Sequence, residues 1–173
     1  MGPGLRKFAL TSHVVSSVGW LGAVAVFLAL SVVGWTGRDA PTVQAAYLAM
    51  ESIGWFVLVP LSLASLLTGL IQALGTKWGL FRHYWVVVKL GINLVATSVL
   101  LMYMQTLASL AEVARDGASS GDDLSGLRSP SPALHAGAAL LLLLVAAILS
   151  VYKPRGMTRY GRREQRRRTV PAA

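Results

Sequence analysis

The sequence predicts an all-α, polytopic membrane protein: a four-transmembrane-helix bundle with both termini cytoplasmic. Three observations carry that expectation. Of 173 residues, 54% are apolar and only 13% are charged. With glycine counted and tyrosine left out, the apolar share is about 61%, against roughly 45–50% in soluble proteins. The apolar residues gather into four runs, each long enough for a bilayer, and the basic residues sit almost entirely on one side of those runs.

The runs cover 8–35, 43–74, 84–111 and 132–152. A helix rises about 1.5 Å per residue, so about 20 residues cross a hydrocarbon layer of roughly 30 Å. Only Glu51 and Lys89 carry formal charge inside the runs. A soluble helix keeps one polar face, and these keep none. A β-barrel would need alternating segments of about ten residues, which the sequence does not contain.

Each element has its own boundary signals. The first run follows Arg6 and Lys7 and holds about 28 residues, well beyond the roughly 7–15 of a cleavable signal, so it is expected to be a retained helix. Thr36–Thr42, with Gly37, Asp39 and Pro41, makes a tight turn. The second run has about 12 residues to spare and carries Pro60 midway, where a lost backbone hydrogen bond predicts a kink. Gly75–His83 is a short connection. Beyond the third run, Glu112–Ser131 is rich in Gly, Ser and Asp and reads as a mobile loop. Pro154 and Gly156 stop the fourth helix. Residues 1–152 thus form a transmembrane domain and 153–173 a basic tail.

The tail carries Lys153, Arg155, Arg159, Arg162, Arg163, Arg166, Arg167 and Arg168. Arg6, Lys7, Lys77 and Arg82 fall on the same side, whereas the other side holds only Arg38, Arg115 and Arg128. Basic residues stay in the cytoplasm, which places both termini there and the protein in the plasma membrane. The net charge of +9 is therefore an orientation signal rather than a nucleic-acid footprint, since only Tyr160 interleaves the cations of the tail. A basic cluster directly after a span attracts anionic lipid headgroups, worth roughly 1 kcal/mol per charge near the surface. The eight tail cations are the expected contacts.

The chemistry starts from depth. His13 lies near the cytoplasmic end of the first span, Gln72 near that end of the second, and Lys89 and Asn93 in the cytoplasmic half of the third. With His83 they make an inner polar grouping; Glu51, Gln105 and His135 could make an outer one. An ionisable group at mid-bilayer costs roughly 2.5–3.5 kcal/mol, so function is the default explanation. Lys89 is also close enough to the membrane end for its stem to snorkel, and Glu51 can be an interfacial carboxylate. His13 shares a helix face with Trp20, beside Ser16, Ser17 and the small Gly19, Gly22 and Ala23, which permit close helix approach. Such a histidine can be a ligand, a proton carrier or a hydrogen-bonded packing residue. His13 and Lys89 are the candidate cofactor-binding pair, at matching depth. Met50, Met102, Met104 and His135 belong to the outer half, where soft ligands would suit copper.

Several classes are excluded. With no cysteine there is no disulfide scaffold, thiol nucleophile, iron–sulfur centre or Cys-ligated zinc. No Gly-x-Ser-x-Gly, His-Glu-x-x-His or phosphate-binding loop occurs. Three histidines cannot supply two bis-His haems, and His13 and His135 stand near opposite membrane faces.

The pattern His13-x6-Trp20-Leu21-Gly22 and the stretch Tyr84-Trp85-Val86-Val87-Val88-Lys89-Leu90 resemble the copper-resistance D (CopD) and HemJ-like membrane proteins. Within that grouping the chain is most similar to bacterial four-helix membrane proteins of uncharacterised function. The resemblance covers the first three spans. It implies haem b or copper handling, with His13 and Lys89 as the positions carried over. The acidic Asn-Glu-x-Pro feature expected near the last helix of HemJ is missing here.

Three readings of function follow. The first is a non-catalytic helical-bundle module, alone, as a homo-oligomer or with a membrane protein partner. The second is a haem- or quinone-associated redox protein using His13. The third is a small-solute or copper permease.

Overall fold

The computed structural model describes residues 2–75, 80–120 (117–120 as backbone), 127–154 and 156–163. Helix α1 runs Pro3–Thr36, α2 Ala40–Ile53, α3 Val59–Gly75, α4 Tyr84–Ser120 and α5 Ser131–Tyr152. A π-helical turn, Gly54–Leu58, joins α2 to α3 in one continuous column. Among the described residues, four columns are long and apolar enough to cross a membrane: Pro3–Thr36, Ala40–Gly75, Tyr84–Asp116 and Ser131–Tyr152. The start of α1, the α3–α4 connection and the start of the tail share one end of the bundle, the terminal end.

The columns pack as an up-down bundle. Helix α1 lies against α2, α3 and α5, and α4 against the same three, so α1 and α4 stand diagonally across the centre. The core is not uniform along its length. Away from the terminal end it is large and apolar, built on Trp20, Phe27, Tyr47, Met50, Met104 and Leu107. Towards the terminal end the buried side chains are small and hydroxylated: Ser16, Ser62, Ser65 and Thr97. Small side chains leave space between diagonal helices, and that space is the site described below.

The helix boundaries differ instructively from expectation. Helix α4 continues nine residues past the expected end at Ala111, through Glu112, Arg115 and Asp116. Leu107, Ala111 and Ala114 are buried there, an i, i+4, i+7 face that α2 covers. Packing periodicity therefore outlasts the hydropathy run, and the expected mobile loop begins as helix. One consequence is that Arg115 reaches the Glu51 carboxylate and forms an ion pair with it.

Pro60 does mark an irregularity, placed just before it. The Val59 amide bonds to the Gly54 carbonyl, one residue further back than in an α-helix. The wider turn falls one turn ahead of the proline ring, where regular α geometry would clash with it.

The tail start is not free. Pro154 disfavours right-handed helix at the residue before it, and Lys153 takes φ 43° with its amide on the Leu149 carbonyl at 3.2 Å. The chain then turns onto the α3–α4 connection. Tyr84 N–H donates to Gly156 O at 3.4 Å, Thr158 N–H to Arg82 O at 3.1 Å and the Thr158 hydroxyl to Phe81 O at 2.5 Å. His83 and Met157 pair as an antiparallel bridge.

Candidate functional site

On α3 the residues Ser62, Ser65, Gly69 and Gln72 recur every three or four positions and form one small, polar face. Against it lies α1. Gln72 Nε2 donates to the Ala9 carbonyl at 3.1 Å, and the Ser17 and Ser65 hydroxyls are 2.8 Å apart. Asn93 of α4 donates through Nδ2 to Ser65 Oγ at 3.2 Å. Ser65 is thus the point where α1, α3 and α4 meet. Its place among four face residues at helical spacing is the only sequence signal for it.

His13 is locked into this arrangement. Its Nδ1 lies 3.2 Å from Ser65 O and 3.1 Å from Thr68 Oγ1. A carbonyl only accepts, and the Thr68 hydroxyl already gives its proton to Ala64 O at 2.5 Å. Nδ1 must therefore carry the hydrogen, which leaves Nε2 with the lone pair. The ring lies against Gly69, where an added Cβ would stand 3.0 Å from Cε1. Nε2 makes no hydrogen bond to the protein among the described residues and is not a buried atom.

Below His13 opens a cavity of about 970 Å³ between α1, α3, α4 and α5. His13, Lys89, Gln72 and Asn93 all line it, so four of the five inner polar residues come together; His83 stays on the connection, tilted against Trp85 at 6.5 Å. Lys89 Nζ sits 5.9 Å from the Trp85 ring centroid, a weak cation–π contact. Arg6, Lys7 and Lys153 also line the cavity, and no carboxylate does among the described residues. The cavity reaches the side of the bundle as well. Leu10, Val14 and Val18 of α1 and Val151 of α5 line it while remaining exposed. The buried residues of α5 are Pro132, Ala136 and Leu143, and in its last turns Ala146, Leu149 and Ser150 are only half-buried.

The outer polar grouping does not assemble. Glu51 pairs with Arg115, and Gln105 is exposed. His135 stacks on Tyr103 at 4.3 Å between centroids and bonds to Ser131 O at 2.9 Å. Nor do the soft ligands converge. Met50 and Met104 are packed in the core, whereas Met102 is 75% exposed, because residues two apart on a helix point nearly oppositely. No cluster of three or more His, Asp or Glu side chains with metal-binding geometry occurs among the described residues.

Among the tail cations, Lys153, Arg159, Arg162 and Arg163 are exposed at the terminal end. Arg155, Arg166, Arg167 and Arg168 lie outside the described residues.

No family model matches this chain, and neither a curated protein nor a solved structure matches it. The likeness to the copper-resistance D and HemJ-like grouping gains no support from these comparisons.

Proposed function

We propose that this is a non-catalytic, multi-pass membrane module whose bundle holds an amphipathic anion at its terminal end. The observation that carries the reading is the charge of the cavity. Arg6, Lys7 and Lys89 line a space that is otherwise mainly apolar and, among the described residues, has no carboxylate on its wall. A cavity with cations on its wall favours a negative ligand, and the apolar wall favours a hydrocarbon body. No nucleophile–base pair accompanies them among the described residues.

The basic asymmetry places the terminal end in the cytoplasm of a plasma membrane. The exposed tail cations there face the anionic headgroups of the bilayer.

The test is ligand-dependent stability in a nonionic detergent. Dodecyl phosphate at about a hundredfold excess over Kd should raise the melting temperature by about 5–10 °C. Dodecylphosphocholine should do much less, and Lys89→Met should remove most of the difference. Equal shifts with both amphiphiles would reject the reading.

A redox reading, with haem b or a quinone at His13, has one observation in its favour. A histidine whose Nδ1–H is held by a carbonyl and whose Nε2 is bare is oriented as metal-binding histidines are. The residues fit a single axial ligand, with Lys89 lining the same cavity for a propionate. Bound haem would supply electron-transfer chemistry, and the chain's own part would be to hold that nitrogen in place. A Soret band in the purified protein, absent in His13→Asn, decides it.

A further inference from the structure

The hydrogen-bonding pattern inside the cavity narrows what the head of its ligand can be. The argument rests on the reading of the cavity as an anion site and adds a second requirement to it. Lys89, Arg6 and Lys7 are donors only, and any anion satisfies them. The His13 ring asks for something else. Its Nδ1–H is spent on Ser65 O and Thr68 Oγ1, and its Nε2 presents an acceptor with no protein partner among the described residues. A simple carboxylate or a fully substituted phosphodiester carries only acceptors and would leave that lone pair facing acceptors or nothing. Nε2 is open to the cavity, and a ligand filling that space shuts it away from water, where an unpaired polar group is costly.

The shape of the cavity points to where the ligand comes from. The stripe Leu10, Val14, Val18 on α1 and the Val151 position on α5 line the cavity and face outward as well. Acyl chains can leave sideways between these helices while the head stays within. Water-soluble anions would gain nothing from that opening.

We infer that the cavity binds a bilayer phospholipid whose head combines a negative phosphate with a hydroxyl group, the phosphate held by Lys89 and the terminal-end cations and the hydroxyl donating to His13 Nε2. Phosphatidylglycerol has this chemistry. Phosphatidylethanol, with the same single charge and the same chains available, has no head hydroxyl.

The two lipids make the experiment. Purified full-length protein in nonionic detergent micelles is titrated with dioleoyl forms of phosphatidylglycerol, phosphatidylethanol and phosphatidylcholine, and bound lipid is counted by native mass spectrometry. The expected order is phosphatidylglycerol ahead of phosphatidylethanol by about tenfold, with phosphatidylcholine last. His13→Asn keeps an amide N–H where Nδ1–H now meets Ser65 O but removes the Nε2 acceptor. It should bring the two anionic lipids together while both stay ahead of phosphatidylcholine. Lys89→Met should weaken both. Equal binding of phosphatidylglycerol and phosphatidylethanol by the unaltered protein overturns the inference and leaves the anion site standing. Equal binding of all three overturns the anion site itself. The comparison in the unaltered protein decides between these outcomes whether or not either variant folds.

Discussion

A histidine in a membrane helix can be anchored by either ring nitrogen, and which one is used decides what it can do. In this chain the anchor is Nδ1, and the carbonyl that takes it belongs to Ser65, a residue whose own hydroxyl ties α1 to α4. Gly69 is what lets the ring approach. An added Cβ would meet Cε1 at 3.0 Å, so alanine there asks the imidazole to shift by a few tenths of an ångström. Valine asks for more and should push Nδ1 off Ser65 O. Gly69→Val is therefore expected to lower stability by about 1–3 kcal/mol, the usual cost of overpacking. It should also abolish the preference for phosphatidylglycerol over phosphatidylethanol. Gly69→Ala should keep that preference. Thermal unfolding in detergent reads the first effect and native mass spectrometry with the two lipids the second, and a Gly69→Val protein with unaltered lipid preference would sink the role given to the ring.

Among the elements, what hydropathy dictates locally was legible, and what depends on a partner was not. Four spans and the depths of His13, Lys89 and Gln72 follow from run length and helix rise. The extension of α4 does not, because Ala111 and Ala114 are ordinary alanines until α2 covers them. The Glu51–Arg115 pair was hidden for the same reason: the arginine seemed to lie in a loop. Pro60 announced an irregularity but not its form as a wider turn. The start of α2 was legible only in its residue types: the sequence reads Asp39 and Pro41 as turn residues through Thr42, whereas Asp39 caps a helix that begins at Ala40 with Pro41 in its first turn. Its carboxylate accepts from the Thr42 amide at 3.1 Å, and hydrogen bonds from Thr42, the side chain foremost, hold its pKa below the usual value. A carboxyl depressed in the folded state contributes above the unfolded pKa of about 3.9 and loses that contribution as pH falls through the lower folded value. Asp39→Asn keeps a capping residue that does not titrate. The stability difference between wild type and Asp39→Asn should shrink between pH 6 and pH 3; a difference constant across that range would contradict the cap's charge dependence.

At the scale of the whole molecule, the terminal end is tied together by backbone that sequence reading treats as a tail. Residues 156–163 rest on the α3–α4 connection through Tyr84, Arg82 and Phe81, and they bring Lys153 to the cavity rim and Arg159, Arg162 and Arg163 to the surface around it. Charge content alone foretold a basic cluster at this end; its fixed position needed Thr158 to meet two carbonyls, which no periodicity encodes. Gly161 is the residue that makes the docking possible, because an added Cβ would overlap the Arg82 carbonyl oxygen. That neighbour is backbone and cannot swing aside. Gly161→Val should therefore release the segment without disturbing the bundle, whose core lies towards the other end. Docked backbone enters a protease cleft poorly, so trypsin should cut after Arg159 and Arg162 slowly in the unaltered protein and about tenfold faster in Gly161→Val, at unchanged melting temperature. In sealed vesicles the same cuts report sidedness. They should appear when trypsin meets the cytoplasmic face of inverted vesicles and not in right-side-out ones. Cleavage from the external face would reverse the proposed orientation, and equal rates in the two proteins would show that the docked segment does not restrain this end of the bundle.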